Sequence, residues 1–455
     1  MSVPLESLSR CFAGIVPSTI VTCAADGTPN VTYLSQVYYL DPSHVAISCQ
    51  FFNKTAKNLR ENPRAMVELW DPATLDSWRL RLRYVRSETE GPLFDAMALR
   101  IEAIASHTGM AGVFRLRSAD VCEVLSAEKV EGFLDAAPPG ASGDEASVAD
   151  GPLGELRALS IVSARLNRAT CLEGLLADAL AALDELFRFR HSMVLLLEEK
   201  CGTLVTIASR GYEGSGVGAE VPLGAGLVGT VAEKRAPVRL SGVEALLRYG
   251  RAVRNGVERD GGAVRPEVPL PGLPEAEAQM ALPLLVEDRL LGVLAVESRD
   301  PLAFADWHET FLSVIANQIA IGIDRFASTA DDEEEPAGAA GPAPSAAARR
   351  SFVYYRNDDC VFVDGEYLVR NVPGKILWKL LKEHREGRRE FTNRELRLDP
   401  KLGLPAFKDN LESRLILLRK RLEERCPEVR FVPLRRGRFA LEVGCVMQME
   451  ERDAG

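Results

Sequence analysis

The sequence lacks a long apolar run, a closely spaced pair of cysteines and a secretory signal. A membrane-spanning helix needs roughly 20 predominantly apolar residues, and no segment approaches that length. The nine cysteines are scattered and odd in number, so neither a disulfide framework nor a zinc site is expected. The first residues, MSVPLESLSRCF, do not place a basic segment before an apolar one. These absences predict a cytoplasmic protein with reduced thiols, no membrane segment and no metal.

The composition is that of a globular protein, with 46% hydrophobic and 26% charged residues, and 455 residues predict about three domains. Charge is distributed unevenly along the chain. Residues 349–445 carry 23 lysines and arginines against 15 acidic residues, whereas the remainder carries 32 against 50. The sequence therefore predicts an acidic body and a basic C-terminal module.

Two stretches of small, acidic and Pro/Gly-rich residues divide the chain, at 136–152 and 328–349. They hold too little apolar surface to fold, and this composition is typical of linkers. The expected domains are 1–135, 153–327 and 350–445.

The first domain reads as a series of short strands. Runs at 19–24, 30–39 and 44–49 are rich in β-forming residues and are separated by the turn signals ADG and DPS. One helix is expected at 54–61, and the segment at 77–85 alternates apolar with polar residues. This pattern predicts a small antiparallel barrel.

The segments DGTPNVTYLSQVYYLD and VAISCQFFNKTAKNLRENPRAMVEL resemble the FMN-binding split barrel of the pyridoxamine-phosphate-oxidase-like proteins. The resemblance implies that strand 31–36 lies along the flavin ring and that the corner at 50–58 holds the FMN phosphate. A helix N-terminus offers N–H groups and a positive dipole end to such a group. The implied cofactor-binding residues are Tyr33, Ser35, Gln50, Lys54, Thr55, Lys57 and Asn58.

The corner departs from the family pattern at one position. The family has a lysine four residues before the helix leucine, and counting back from Leu59 that place holds Thr55. Lys54 and Lys57 flank it and would substitute, or they would only solvate the start of the helix. The domain also ends before the segment that holds substrate in the true oxidases, and no histidine lies near the corner. We therefore expect a cofactor-binding or redox-sensing module and assign no catalytic residue.

The second domain begins with two helical patterns in 154–188, followed by strands at 192–199 and 203–212. The phrases VPLGAGLVGTVAEKRAPVRL, MALPLLVEDRLLGVLAVES and FLSVIANQIAIGID resemble a GAF domain. Its glycines at 224, 226 and 229 are expected to shape a tight entry to a helix rather than a dinucleotide-binding loop.

The GAF resemblance implies a small-molecule pocket between the sheet and the helices on one of its faces, with a ligand that the sequence does not identify. The pocket residues that we expect are Met193, Arg210, Arg248, Arg251 and Met280. The insertion at 240–279 carries Arg248, Arg251, Arg254 and Arg259, which predicts either a lid over an anionic ligand or a solvated loop. Apolar stripes on the helices at 154–168 and 308–327 would serve a parallel homodimer or packing within one chain.

The third domain is expected to contain strands within 352–370, helices at 372–387 and 407–425, and a hairpin at 429–443. A short middle helix would be capped by Thr392 or Asn393. The phrases LESRLILLRKRLEE and VPLRRGRFALEV resemble the winged helix-turn-helix of response-regulator transcription factors. The resemblance implies that the long helix enters the DNA major groove. The implied DNA-binding residues are Lys408, Arg414, Arg421, Arg435, Arg436 and Arg438.

Two aliphatic residues interrupt the DNA-reading face of that helix. The core stripe is formed by Leu411, Leu415, Leu418 and Leu422, and Ile416 and Leu417 point about 130° away from it. Either this face reads thymine methyl groups, or it contacts a protein.

The sequence thus predicts a multidomain α+β protein with a split β-barrel, a GAF α/β sensory domain and a winged helix. The leading functional hypothesis is a cytoplasmic, homodimeric one-component transcriptional regulator that responds to a ligand or to redox state, with FMN as a candidate cofactor. The alternatives are an FMN-dependent oxidoreductase with regulatory domains and a protein-interaction scaffold with degenerate pockets.

Overall fold

The structure is a computed structural model with three domains, called here the N-terminal domain (3–130), the central domain (152–328) and the C-terminal domain (348–452). The predicted linkers lie almost wholly outside the described residues, as do the predicted site residues Ser35, Lys408 and Arg436. The structure describes residues 3–34, 36–50, 53–130, 152–199, 201–213, 216–259, 272–328, 348–357, 359–404, 411–435 and 437–452.

The N-terminal domain is built on a seven-stranded antiparallel sheet with the strand order β2-β1-β5-β6-β7-β4-β3. A 3-10 helix at Leu5–Ala13 precedes it. The elements are β1 (Ser18–Cys23), β2 (Pro29–Leu34), β3 (Val37–Asp41), β4 (His44–Cys49), α1 (Asn53–Glu61), β5 (Arg64–Trp70), β6 (Ser77–Glu88), α2 (Pro92–His107) and β7 (Ser118–Lys129).

Alternation along the strands decides which side chains enter the core of this sheet. Ile20, Val67, Leu80 and Leu82 are fully buried, and their neighbours along each strand are more exposed. Helix α2 is an addition to the predicted pattern. It begins at Pro92, a residue suited to a first helical position, and its mostly apolar surface gives no clear helical period to read.

The central domain has a six-stranded antiparallel sheet with the order β10-β9-β8-β13-β12-β11. Helices α3, α4 and α7 share an apolar cluster with one face of this sheet, and α5 and α6 share another with the opposite face. The elements are α3 (Pro152–Arg168), α4 (Leu172–Phe187), β8 (His191–Glu198), β9 (Thr203–Arg210), β10 (Glu220–Pro222), α5 (Gly226–Lys234), β11 (Val238–Ser241), α6 (Val243–Arg259), β12 (Ala278–Val286), β13 (Arg289–Ser298) and α7 (Asp306–Ser328).

The glycines before α5 have the structural role that the sequence predicts. Gly224 and Gly226 have φ values of 74° and 61°, in the left-handed region that disfavours other residues. At Gly229 an added Cβ would lie 2.3 Å from the carbonyl oxygen of Pro222. The turn into α5 and the first turn of that helix therefore need all three glycines for their backbone geometry.

The solvated loop expected at 240–279 is a helix over much of the part that the structure describes, and the alternative of a lid over an anionic ligand stays a prediction. Residues Val243–Arg259 form helix α6, whose apolar side packs toward the N-terminal domain. Leu246, Val253 and Val257 recur at spacings of seven and four residues, which place them on one face of the helix. The arginines suggested a solvent-exposed loop, whereas the apolar residues at helical spacing are what this segment buries as a helix.

The C-terminal domain contains two small sheets, with strand orders β16-β15-β14-β20 and β17-β19-β18, around three helices. The elements are β14 (Ala348–Tyr355), β15 (Cys360–Val363), β16 (Glu366–Val369), α8 (Asn371–Arg385), β17 (Glu390–Thr392), α9 (Asn393–Leu398), α10 (Leu411–Arg425), β18 (Val429–Arg435), β19 (Arg438–Val443) and β20 (Cys445–Arg452).

Local sequence signals in this domain predict α9 correctly but do not predict its last strand, β20. Thr392 caps α9 through a reciprocal pair of hydrogen bonds with Glu395, the capping box that fixes a helix start. Strand β20 lies beyond the boundary expected at residue 445 and pairs in parallel with β14. Parallel pairing links strands far apart in sequence, so no local pattern announces it.

None of the helices in the described part of the chain combines the length and the hydropathy that a membrane-spanning helix needs. All nine cysteines are among the described residues, and none of them forms a disulfide.

Candidate functional sites

The strand–helix corner of the N-terminal domain is closed by an internal hydrogen-bond network. The Asn30 side-chain amide donates to Thr22 Oγ1 at 3.3 Å and to Thr55 Oγ1 at 3.0 Å. The Asn58 amide also donates to Thr22 Oγ1, at 3.2 Å. Thr55 and Asn58 are buried, with 4% and 2% of their surface exposed. Both predicted phosphate ligands therefore fasten α1 to strands β1 and β2.

The remaining predicted ligands of this corner do not complete a phosphate site. Lys54 is exposed, and the side chain of Lys57 is 71% exposed and lies 3.8 Å from a carboxylate oxygen of Glu61. The side-chain amide of buried Gln50 donates a long hydrogen bond to Ser48 Oγ at 3.5 Å, within the same segment of chain. Tyr33 lies on β2 with 73% of its surface exposed. The described members of the predicted set, as placed here, do not form a site that fits an FMN phosphate.

The central domain contains a cavity of about 410 Å³ at one end of strands β8 and β9. Its wall combines a methionine with hydroxyl groups, a tyrosine, a histidine and an arginine. Among its lining residues are His191, Met193, Thr206, Ser209, Tyr212 and Arg299. A mixed wall of this kind suits a small ligand with both apolar and polar parts.

A buried carboxylate fixes the loop beside this cavity. Glu297 is 5% exposed and accepts hydrogen bonds from the Tyr212 hydroxyl at 2.9 Å, the Gln279 amide at 2.8 Å and the Leu273 backbone N–H at 2.7 Å. Burial raises the pKa of Glu297 and also that of Tyr212. Burial and then the charges of Arg299 and Arg190 lower the pKa of His191. The wall is therefore expected to present a neutral imidazole at neutral pH.

The structure brings only part of the predicted pocket set to this cavity. Met193 lines it, and Met280 lines a smaller neighbouring cavity of about 20 Å³. Arg210 pairs with Asp184 at 2.8 Å. Arg248 pairs with Glu244 within α6, and Arg251 lies exposed on the same helix. Arg299, Tyr212 and Glu297 were not anticipated, because no local pattern separates them from ordinary strand and turn residues.

The predicted DNA-reading helix α10 lies against the central domain. The Arg414 guanidinium is bonded to both carboxylate oxygens of Glu198, with nitrogen–oxygen distances of 2.9 and 3.2 Å. Arg421 donates to the backbone carbonyl groups of Leu368 and Tyr367. Arg438 lies in the hairpin β18–β19 and pairs with Glu390 at 3.0 Å, whereas the Arg435 side chain lies outside the description.

The two aliphatic residues that interrupt α10 face a protein surface of the same chain. Ile416 and Leu417 are 5% and 7% exposed and belong to the apolar cluster of the central domain. Leu411, Leu415, Leu418 and Leu422 form part of the core of the C-terminal domain, as the helical period predicts. The sequence left open whether Ile416 and Leu417 contact thymine methyl groups or protein, and in this conformation they contact protein.

Two protein-family models match the chain. The model of pyridoxamine 5'-phosphate oxidase matches residues 8–123, and the model of the GAF domain matches residues 172–323. The chain is thus a multidomain α+β protein with a pyridoxamine-phosphate-oxidase-like domain followed by a GAF domain. This pair of domains indicates a sensing or signalling protein, and it makes FMN a plausible ligand at the level of the fold.

Solved structures similar to parts of the chain include a GAF domain from an Acinetobacter phosphoenolpyruvate-protein phosphotransferase, at 19% identity, covering 38% of this chain and 93% of that one with a TM-score of 0.30. An FMN-binding protein from Syntrophomonas wolfei subsp. wolfei shows 18% identity over 29% of this chain and 90% of its own, with a TM-score of 0.24. Free methionine-R-sulfoxide reductase from Neisseria meningitidis shows 17% identity over 40% of this chain and 94% of its own, with a TM-score of 0.32. The search of curated proteins finds no match.

Proposed function

We propose that the protein is a one-component transcriptional regulator, in which the central domain binds a small ligand and the C-terminal domain binds DNA. The observation that carries this proposal is the direct packing of α10 on the central domain through Ile416 and Leu417. A change in the central domain can reach the DNA-reading helix without an intermediary protein, because the two elements share one apolar cluster.

The arrangement of the C-terminal domain supports DNA as its partner. Three helices are followed by the hairpin β18–β19, the order of a winged helix-turn-helix. Its net positive charge contrasts with the acidic remainder of the chain, and cationic side chains give the sequence-independent part of DNA affinity. The hairpin residue Arg438 is half-exposed and lies outside the contact with the central domain.

In this proposal the N-terminal domain is a second input module and not a catalyst. Its fold makes FMN plausible, but Thr55 and Asn58 are committed to the network around Thr22. We expect freshly purified protein to show no flavin absorbance. A flavin spectrum, with FMN identified by mass in the released ligand, would contradict this expectation and favour an oxidoreductase.

A homodimer is also part of the proposal, since paired output domains read paired half-sites. Helix α7 exposes Val314 and Ile321, seven residues apart, and the adjacent α3 exposes Leu156. We propose that these residues pack against a second copy of the chain. Sedimentation of the Ile321→Glu variant tests this, with a monomer expected where the native chain gives a dimer.

The DNA proposal is tested by binding of the full chain to a mixed set of fluorescent duplexes over a range of salt concentrations. We expect affinity to fall with salt, and Arg438→Ala to reduce the salt slope by about one. Arg452→Ala is the matched control, because both arginines are 50% exposed and each is paired with a glutamate. An affinity that does not fall with salt, or an equal salt slope for the native chain and Arg438→Ala, would contradict the proposal.

A further inference from the structure

The surface of the central domain that faces the C-terminal domain carries three carboxylates, each paired with an arginine of that domain. We call this surface the acidic face and define it by Glu173, Glu198 and Glu220. The pairs are Glu173–Arg419, Glu198–Arg414 and Glu220–Arg370. The three glutamates come from one helix, α4, and two strands, β8 and β10, so regular elements and not a single loop create the acidic face.

The central pair of this face is the most enclosed. The side chains of Arg414 and Glu198 are 8% and 14% exposed, and the contact is bidentate. The Arg419–Glu173 pair, at 2.5 Å, and the Arg370–Glu220 pair surround it closer to solvent. A planar guanidinium binds carboxylate and phosphate with the same two-pronged geometry. The arginine that would meet a DNA phosphate is therefore occupied by a carboxylate of comparable shape and charge.

The apolar contacts beside these pairs cover the rest of the helix face. Leu417 lies next to Leu196 and Ile207 of the central sheet, and Lys420 Nζ donates to the backbone carbonyl of Ile207 at 3.3 Å. An ideal Cβ on Gly218 would approach the Arg421 side chain to 3.1 Å, so the backbone of the central domain runs close against α10. No duplex can reach this face of α10 while these contacts hold.

We propose that the acidic face and a DNA duplex are mutually exclusive partners of α10. The central domain acts as a charge mimic of DNA, and the duplex binds only the fraction of molecules in which α10 has left the acidic face. This inference rests on the proposed DNA-binding function. To that function the inference adds which surface competes with DNA for α10 and which residues form the contact.

The test reverses one charge of the acidic face and leaves α10 unchanged. Glu198→Arg places a cation against Arg414, whereas Glu199→Arg, at the exposed neighbouring position, adds the same charge outside the contact. Small-angle X-ray scattering of each full chain reports whether the C-terminal domain has separated. Fluorescence anisotropy with mixed-sequence duplex DNA reports affinity, and thermal unfolding checks that each variant is folded.

We expect Glu198→Arg to increase the radius of gyration and to bind duplex about tenfold more tightly than the native chain, with Glu199→Arg unchanged. If the Glu198→Arg chain stays compact, a triple variant in which Glu173, Glu198 and Glu220 are all changed to Arg is measured in the same way. A compact triple variant would overturn the proposal. If the C-terminal domain separates but the variant binds duplex no more tightly than a native chain that already binds it, the proposed competition is overturned and the proposed DNA binding is not. Separation without duplex binding by any chain would overturn the proposed function itself.

Discussion

The contact between the N-terminal and central domains is apolar and continuous, whereas the contact between the central and C-terminal domains is narrow and rich in ion pairs. In the first, α2 joins α5, α6 and the central sheet in a single cluster of buried side chains. In the second, one face of α10 meets α4 and β9 through two aliphatic residues, and three ion pairs surround them.

Three polar side chains form hydrogen bonds across the first contact. Ser106 Oγ lies 3.1 Å from Thr230 Oγ1 and donates to the Gly226 carbonyl at 3.2 Å. Arg254 donates to the Thr108 carbonyl at 3.0 Å. Breaking this contact would expose a shared apolar core to water, which costs free energy in proportion to the apolar area exposed.

The second contact can be released at a smaller free-energy cost. The two outer ion pairs, formed by Glu173 and Glu220, are partly exposed and contribute little, because water solvates the separated charges well and salt screens their attraction. The difference teaches that the N-terminal and central domains form one unit, while the C-terminal domain is held in a way that a ligand or DNA can overcome. Four predictions test this comparison.

The largest effect is expected from Leu417→Asp. It buries a carboxylate in the apolar cluster of the central domain and should weaken the docking of α10 by about 3 kcal/mol. Scattering should then show an expanded chain, while the unfolding midpoint of the N-terminal and central unit stays unchanged. Leu398→Asp is the control, since Leu398 is 70% exposed on α9. A compact Leu417→Asp chain would contradict the assignment of this residue to the contact.

The N-terminal contact should be broken only by disturbing its packing. At Gly250 an added Cβ would lie 2.8 Å from Cγ2 of buried Thr108, so Gly250→Leu should lower the free energy of unfolding by about 2 kcal/mol. Ala252→Leu, on the exposed side of α6, should change it by less than about 0.5 kcal/mol. Urea unfolding measures both, and equal stabilities would show that α6 does not press on the N-terminal domain.

Salt should affect the two contacts differently in the native chain. Raising sodium chloride from about 50 to about 500 mM screens the pairs of Glu173 and Glu220 and should loosen the C-terminal domain by about 1 kcal/mol. The apolar contact of α2 should not respond. Hydrogen exchange at 203–210 and 411–425, compared with 92–107, provides the measurement, and a parallel response of all three segments would remove the proposed difference.

The smallest effect concerns pH at a site in neither contact. His308 Nδ1 accepts a hydrogen bond from the Ala305 backbone N–H at 2.8 Å, and burial, aided by Arg239, lowers its pKa from 6.5 to about 4. The unfolded chain therefore binds this proton first as pH falls. The stabilisation is complete above pH 6.5 and is lost on acidification toward pH 4.

Because His308 is partly exposed, the loss should be on the order of 1 kcal/mol relative to His308→Gln. Urea unfolding of both chains between these pH values measures it. Parallel pH profiles for the native chain and the variant would show that the histidine is protonated equally in the folded and unfolded states. Docking of α10 should be insensitive to this substitution.

The sequence anticipated most elements of the fold and less of the candidate sites. Strand alternation, the helix cap expected at Thr392 or Asn393 and the leucine stripe of α10 are local signals, and the structure contains all three elements that they predict. The corner at Thr55 was located correctly, but its hydroxyl is engaged by Asn30, which is 25 positions earlier in the chain. The cavity residues Tyr212 and Arg299 gave no local signal at all, because the sheet brings them together from distant segments.

What the sequence by itself determined is the identity of the helices and strands and the presence of two aliphatic residues on the outer side of α10. Those properties follow from side-chain periodicity and helix capping, which act over a few residues. Only the tertiary structure decided that Ile416, Leu417 and Arg414 face the central domain. The partner of Arg414, Glu198, lies 216 positions away, and no local pattern specifies a contact across that separation.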